Sequence, residues 1–305
     1  MVSLDILLSK LLKNNQKFKQ QGSLSSTIPA LSNQNPNLFG VCIKTLQGET
    51  YRAGDYDFPF TLQSISKVFS LLLALMDNDE NRVFSNIGME PTGELFDSIS
   101  KLETFNSLIP LNPMVNPGAI AITSMIHGKR YKEKFSRLKE LIKKFAQNPT
   151  ITIDEKVYDS EKNTADKNRA IAYFLRNIGA IKGNVDMILE IYFKQCSLRV
   201  TCEDLAHMGK ILASTEDEVS SSYSRYYRII KTFMFTCGLY NESGKHAVEI
   251  GMPSKSGISG GIMASVPGKM GIGIFSPPLN NKGNPIAGMS LLKDLARELD
   301  LRVIR

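Results

Sequence analysis

The chain has 305 residues, of which 42% are hydrophobic and 22% charged, and it carries a formal net charge of +7. Such a composition can bury a sizeable core as one large or two interleaved domains, and no disorder signature dominates it. The positive excess sits in clusters such as Lys129-Arg130-Tyr131-Lys132 and Lys139 to Lys144; these read as a solvated helix face, and no basic-aromatic module points to a nucleic-acid partner.

Residues 3–20 form an amphipathic helical pattern, and with Asp5 early and no basic run before it the N-terminus does not read as a signal peptide. A cytoplasmic protein is expected. Residues 38–44 predict a strand, Gln47-Gly48 a turn, and a second short strand ends near Arg52. The stretch from Asp57 to Gln63 is extended and turns at Pro59, and Lys67 to Met76 predicts a mostly buried helix. Roughly 63–235 is helical, broken by Pro110-Leu111-Asn112-Pro113 and by the segment from Gln147 to Lys167. Strands return at 261–266 and 271–276 around a Pro267-Gly268 turn, followed by a helix from about Pro285 to Leu299. No apolar run is long enough to span a membrane. Strands from both ends are therefore expected to share one sheet, 1–80 with 236–305, while 81–235 forms an inserted helical part.

Two motifs stand out against this frame: Ser64-Ile65-Ser66-Lys67 before the buried helix, and Lys255-Ser256-Gly257 opening the Gly-rich C-terminal stretch. A Ser-x-x-Lys with a later Lys-Ser-Gly is the pattern of acyl-transfer enzymes that use lysine as the base. The first motif alone is weak, because Ser98/Lys101, Ser136/Lys139 and Ser290/Lys293 repeat its spacing. Context favours Ser64. It falls in the first turn of an apolar helix, where free N–H groups and the positive dipole end favour an alkoxide or oxyanion. Lys67 lies three residues on, where burial lowers its pKa toward the neutral amine a base must be. The N–H of Ile258, just past Gly257, can join that of Ser64 as a two-donor oxyanion hole. Cys42, Cys196, Cys202 and Cys237 are too scattered for a disulfide framework, and with three histidines they make no zinc motif.

Further blocks carry a family resemblance. Gly54-Asp55, Pro59-Phe60 and Gln63 to Lys67; Asn112-Pro113-Met114-Val115-Asn116-Pro117-Gly118; Val157-Tyr158-Asp159-Ser160-Glu161 with Asn168; Tyr192 to Ser197; Cys237-Gly238-Leu239-Tyr240; and Lys255 to Ile262 follow one another in the order of the serine-dependent glutaminases, which the chain resembles from about residue 22 to 290. The resemblance implies an α/β (α+β) protein of β-lactamase/transpeptidase-like fold, with a mainly antiparallel sheet, flanking helices and an inserted all-helical domain. It implies hydrolysis of the side-chain amide of L-glutamine to L-glutamate and ammonia, without metal or organic cofactor, by a homodimer or homotetramer. Carried onto this chain, Ser64 is the nucleophile, Lys67 its base and Tyr240 a proton relay. Gln63 and Ile258 belong to the substrate site, Glu161 holds the substrate ammonium, and Asn116, Asn168 and Tyr192 hold its carboxylate.

Each polar residue also has a bland interpretation: Asn116 as a turn residue before Pro117, Glu161 and Asn168 as solvated helix positions, Tyr192 and Tyr240 as core aromatics. Two departures bear on the site. Thr27 stands where the family usually has tyrosine, and Asn116-Pro117-Gly118 replaces Asn-Ala-Gly, which restrains Asn116 toward extended geometry. Thr27 motivates one alternative, a catalytically weakened glutamine-binding relative. A penicillin-interacting enzyme of the same fold is another, although its Ser-x-Asn or Tyr-x-Asn motif is missing.

Overall fold

Period-two alternation builds the central sheet. In the computed structural model, which describes residues 3–93, 97–98, 109–214 and 221–304, the strands are β1 Gly40–Thr45, β2 Thr50–Gly54, β3 Phe60–Thr61, β4 Arg199–Val200, β5 Ser254–Ser256, β6 Gly261–Val266 and β7 Met270–Phe275. Five of them form one antiparallel sheet in the order β2-β1-β7-β6-β5, and β3 pairs with β4. Strands from both ends of the chain thus share the sheet. The register sets Val41 and Ile262 either side of Ile274, so the β-branched residues of β1, β6 and β7 line one face.

The helices are α1 Leu4–Asn15, α2 Ser66–Asp77, α3 Glu80–Phe84, α4 Asn116–Met125, α5 Tyr131–Ala146, α6 Glu155–Thr164, α7 Asp166–Asn177, α8 Val185–Cys196, α9 Cys202–Ala213, α10 Ser221–Cys237, α11 Ser243–Glu249 and α12 Ile286–Glu298. Leu8, Leu11 and Leu12 of α1 and Leu291, Leu292 and Leu295 of α12 cover the β-branched face. The opposite face carries Gly271 and Gly273, and α9 lies directly on it. A β-carbon at Gly271 would meet the carbonyl of Ala206, and one at Gly273 that of Cys202, so only glycine permits this approach. The second core spreads from this face through Phe275 and the buried α2 into the helices α4 to α10. Phe60 stacks on Phe275 at 4.2 Å between ring centroids, joining the short ladder to the sheet.

Two local expectations need correction. The helical pattern over 3–20 divides into α1 and a 3-10 stretch, Gln16–Gln21. The segment 147–167 is not an open break, because it holds α6. Asp154 caps that helix by accepting the Val157 N–H at 3.1 Å, a start signal visible in the sequence. No described helix is long and apolar enough to cross a membrane.

Candidate active site

The Ser64 turn is the most constrained piece of backbone at the cleft. Gln63–Ile65 is a 3-10 turn leading into α2, so Ser64 precedes the α-helix rather than occupying its first turn. The cause lies one residue earlier: Gln63 has φ +48°, a left-handed conformation that breaks the helical run and is uncommon for a side-chain-bearing residue. Neighbouring bonds hold it there. The Leu62 N–H donates to Leu198 O at 2.9 Å, the Ile65 N–H to Leu62 O at 3.1 Å, and Gln63 Nε2 to Thr61 Oγ1 at 3.2 Å. Gly257 closes against the turn, where a β-carbon would stand 2.7 Å from Leu62 O and 3.5 Å from the Ser64 nitrogen.

Lys67 is fully buried. Its Nζ donates to Asn116 Oδ1 at 2.6 Å and to Met114 O at 3.1 Å. Burial pulls the amine down to about 8, against the opposing fields of Cys196, Asp97 and Glu161. Asn116 opens α4, with Val115 as its extended N-cap. Pro117 sits in that first turn, where no backbone N–H is required, so it leaves Asn116 in place. Asn112 fixes the approach by accepting the Met114 and Val115 N–H groups at 2.9 and 3.3 Å. Asn116 Nδ2 then donates to Asn168 Oδ1 at 2.9 Å.

Tyr240 enters from the sheet side with φ +56°. Its phenol is hydrogen-bonded to the Ser64 side chain and points to Ser256 O at 3.5 Å. Burial raises the phenol to about 12, and the bonds to Ser64 and Ser256 oppose that rise. Lys255 is also fully buried. Its Nζ donates to Ser256 O at 2.7 Å and lies 4.5 Å from the Tyr240 ring centroid. Burial, followed by repulsion from Lys67, holds it well below the usual lysine range.

Beside them lies one small cleft of about 440 Å³, counting its open mouth; Lys67, Tyr240 and Lys255 are not in its lining, and Lys67 and Tyr240 reach it through Asn116 and Ser64. Gln63, Ser64, Asn116, Glu161, Asn168, Tyr192 and Ile258 all line it, with Thr27 at its exposed rim. Glu161 is not a solvated helix position: it is buried, its Oε2 has no hydrogen-bond partner, and burial raises its carboxyl to about 8 against the field of Lys67. Tyr192 is buried too, which drives its phenol well above the ordinary value. The other Ser-x-x-Lys copies lie elsewhere. Ser136 is exposed on α5, Ser290 sits on α12, and Lys101, the partner of Ser98, falls outside the described residues. Ile28, Thr164, Ala165 and Cys196 also line the cleft. Apolar and small residues such as these carry no chemical signature in the sequence, although Cys196 lies one helical turn beyond Tyr192 on α8. Among the described residues no three His, Cys, Asp or Glu side chains gather as a metal site requires.

Comparison with known proteins shows the family and the fold. The profile of the family described as Glutaminase matches residues 22–304. The chain is 51% identical over 303 residues to Glutaminase 2 of Clostridium perfringens, covering 97% of this chain and 98% of that protein. It is 48% identical over 303 residues to a glutaminase of Clostridium botulinum, covering 97% and 99% respectively. Among solved structures, a Bacillus glutaminase crystallised in 4.3 M NaCl superposes with a TM-score of 0.90 at 35% identity, over 99% of this chain and 100% of that one. A probable glutaminase from Bacillus subtilis, complexed with 6-diazo-5-oxo-L-norleucine, superposes with a TM-score of 0.89 at 34% identity, over 100% and 97%. The fold is the β-lactamase/transpeptidase-like one that the resemblance implied. With a family profile spanning nearly the whole chain and relatives about half identical along their full lengths, the chain belongs to the glutaminase family.

Proposed function

We propose that this glutaminase hydrolyses L-glutamine through Ser64, with Lys67 as general base. The single observation that carries the assignment is the buried Glu161 carboxyl, whose Oε2 has no hydrogen-bond partner, in the lining of the same cleft as Ser64. A buried charge without a partner is costly, and the α-ammonium of an amino acid supplies one. Asn116, Asn168 and Tyr192, on the same wall, offer donors for the α-carboxylate. With both charged ends held, the side-chain amide reaches Ser64. Lys67, its amine lowered to about 8 by burial, takes the Ser64 proton as Oγ attacks the amide carbon. The oxyanion is stabilised by the N–H groups of Ser64 and Ile258. Tyr240, bonded to Ser64, gives its phenol proton to the leaving nitrogen and takes the proton held by Lys67 in return, so ammonia departs and Lys67 is neutral again. Water, activated by the same base, then cleaves the γ-glutamyl ester and releases glutamate. A 6-diazo-5-oxo-L-norleucine complex of the Bacillus subtilis relative supports a site shaped for this amino-acid skeleton. The family resemblance extends the proposal to a cytoplasmic homodimer or homotetramer, which light scattering after size exclusion tests.

Direct measurement of ammonia release tests the chemistry. Ser64→Ala and Lys67→Ala should each abolish release while the fold survives, and the double variant should lose little more than either single one, because the two act as a unit. Near-wild-type release by Ser64→Ala would overturn the acyl-enzyme route. Glutamine binding without ammonia release in the wild-type protein would favour a non-catalytic role instead.

A further inference from the structure

Tyr240 sits in a left-handed conformation at the start of a 3-10 turn, Tyr240–Glu242, and such backbone persists only where surrounding contacts over-determine it. Within the turn, Ser243 Oγ donates to Tyr240 O at 3.1 Å and accepts the Leu239 N–H at 3.0 Å; from outside it, one fully buried side chain of the loop before α12 ties the turn to the rest of the fold: Asn284. Its Nδ2 donates to Glu242 Oε2 at 2.7 Å and to Leu239 O at 3.2 Å, the two flanks of Tyr240. Its Oδ1 accepts the Ser256 hydroxyl at 2.6 Å. Ser256 closes β5, and its carbonyl faces both the Tyr240 phenol and Lys255 Nζ. Asn280, on the same loop, donates a second bond to Glu242 Oε2 at 2.7 Å, and its Oδ1 accepts the Asn284 N–H at 3.0 Å.

We infer that Asn284 and Glu242 are positioning residues for the reaction: together they lock the Tyr240 turn to β5, so that the phenol is held on Ser64. The inference rests on the assignment of Tyr240 as the proton relay. Asparagine is the side chain this place demands, because it must donate in one direction and accept in the other at once. Aspartate has the same shape but no donor, and would set a second carboxylate against Glu242. The lock lies on the sheet side of the cleft, whereas Glu161, Asn168 and Tyr192 come from the helices. Loosening it should therefore slow turnover and leave substrate binding alone.

The test is a charge swap. Asn284→Asp should lower kcat at least tenfold with KM changed less than threefold. Pairing it with Glu242→Gln reverses the direction of the amide–carboxylate bond and should recover at least half of the loss on a logarithmic scale. Glutamine binding to the same variants in a Ser64→Ala background, measured by calorimetry, should stay within threefold. A wild-type kcat in folded Asn284→Asp would overturn the inference, as would a rise in KM alone, or a swap that restores thermal stability without restoring kcat. If Asn284→Asp does not fold, the swap and Glu242→Gln alone decide, since the swap must turn over faster than Glu242→Gln. Tyr240→Phe separates the two claims. Full activity in Tyr240→Phe removes the relay itself, whereas a slow Tyr240→Phe beside a fast Asn284→Asp removes only the positioning.

Discussion

Two titrating side chains around one cleft set the pH behaviour at the residue scale. In the proposed reaction Lys67 must be neutral to take a proton and Glu161 ionised to hold an ammonium, and burial brings both to about 8. They titrate as a pair, so log kcat/KM should climb with pH up to about 8 with a limiting slope near two. In Glu161→Gln the slope should fall to one, which a rate profile from pH 5 to 9 checks. The same variant should raise KM steeply, since a buried charge contact of this kind contributes about 2–5 kcal/mol when one partner is removed. Stability follows a different sign. Folding raises the Glu161 pKa from 4.5, so the native protein holds an extra proton between 4.5 and about 8 and its stability falls as pH rises through that window. Folding lowers the Lys67 pKa from 10.5, so between about 8 and 10.5 the contribution of Lys67 to stability rises with pH. Denaturant titrations of Glu161→Gln should lose the first slope and keep the second. At the rim, Thr27→Tyr should raise kcat/KM severalfold to roughly tenfold, by restoring one hydrogen bond of about 0.5–1.5 kcal/mol; no gain in a folded variant would mean that the pocket is complete without a phenol.

At the scale of elements, glycine decides how closely helix and sheet approach. Gly273 faces the Cys202 carbonyl at the start of α9, so Gly273→Ala must push α9 off the sheet and should cost about 1–3 kcal/mol, read as a lower denaturation midpoint with an unchanged m-value. The α6 cap offers a milder lesion. Asp154→Ala removes the acceptor for the Val157 N–H and should cost about 1 kcal/mol. Because α6 carries Glu161, KM should rise with it, which steady-state kinetics beside the melt will show. The elements were largely legible in the sequence: β-branched runs bounded by turn residues marked β1, β6 and β7, and the apolar run marked α2. The 3-10 turn at Ser64 was not, since the left-handed Gln63 that creates it is held between the Leu62 N–H bond to Leu198 and the close approach of Gly257, both far away in the chain.

For the whole molecule, the cleft joins two cores: Ala165, Tyr192 and Cys196 of its lining belong to the large helical core, and Ile28 and Ile258 to a small cluster with Leu31, Val157, Tyr240 and Leu279. In the proposed reaction a bound substrate touches both. Glutamine at about 100 times its Kd should add roughly 2.7 kcal/mol to the stability of the Ser64→Ala protein and raise a single cooperative transition. Calorimetry that showed only an early sub-transition moving would mean that the two cores unfold independently.

The order of residues alone identified the family and nominated the side chains proposed to carry its chemistry, because a Ser-x-x-Lys, a later Lys-Ser-Gly and the polar blocks between them follow one another in the family's order. It also marked strands at both ends of the chain, since runs of β-branched residues bounded by turns need no tertiary information; that they pair in one sheet is shown by the structure. It did not determine that Glu161 is buried and unpaired, that Lys67 rests on Asn116, or that Asn284 ties the Tyr240 turn to β5. Those depend on which residues distant in the chain exclude water from one another, and burial, which sets the pKa values and the cost of a missing partner, exists only once the two cores have closed around the cleft.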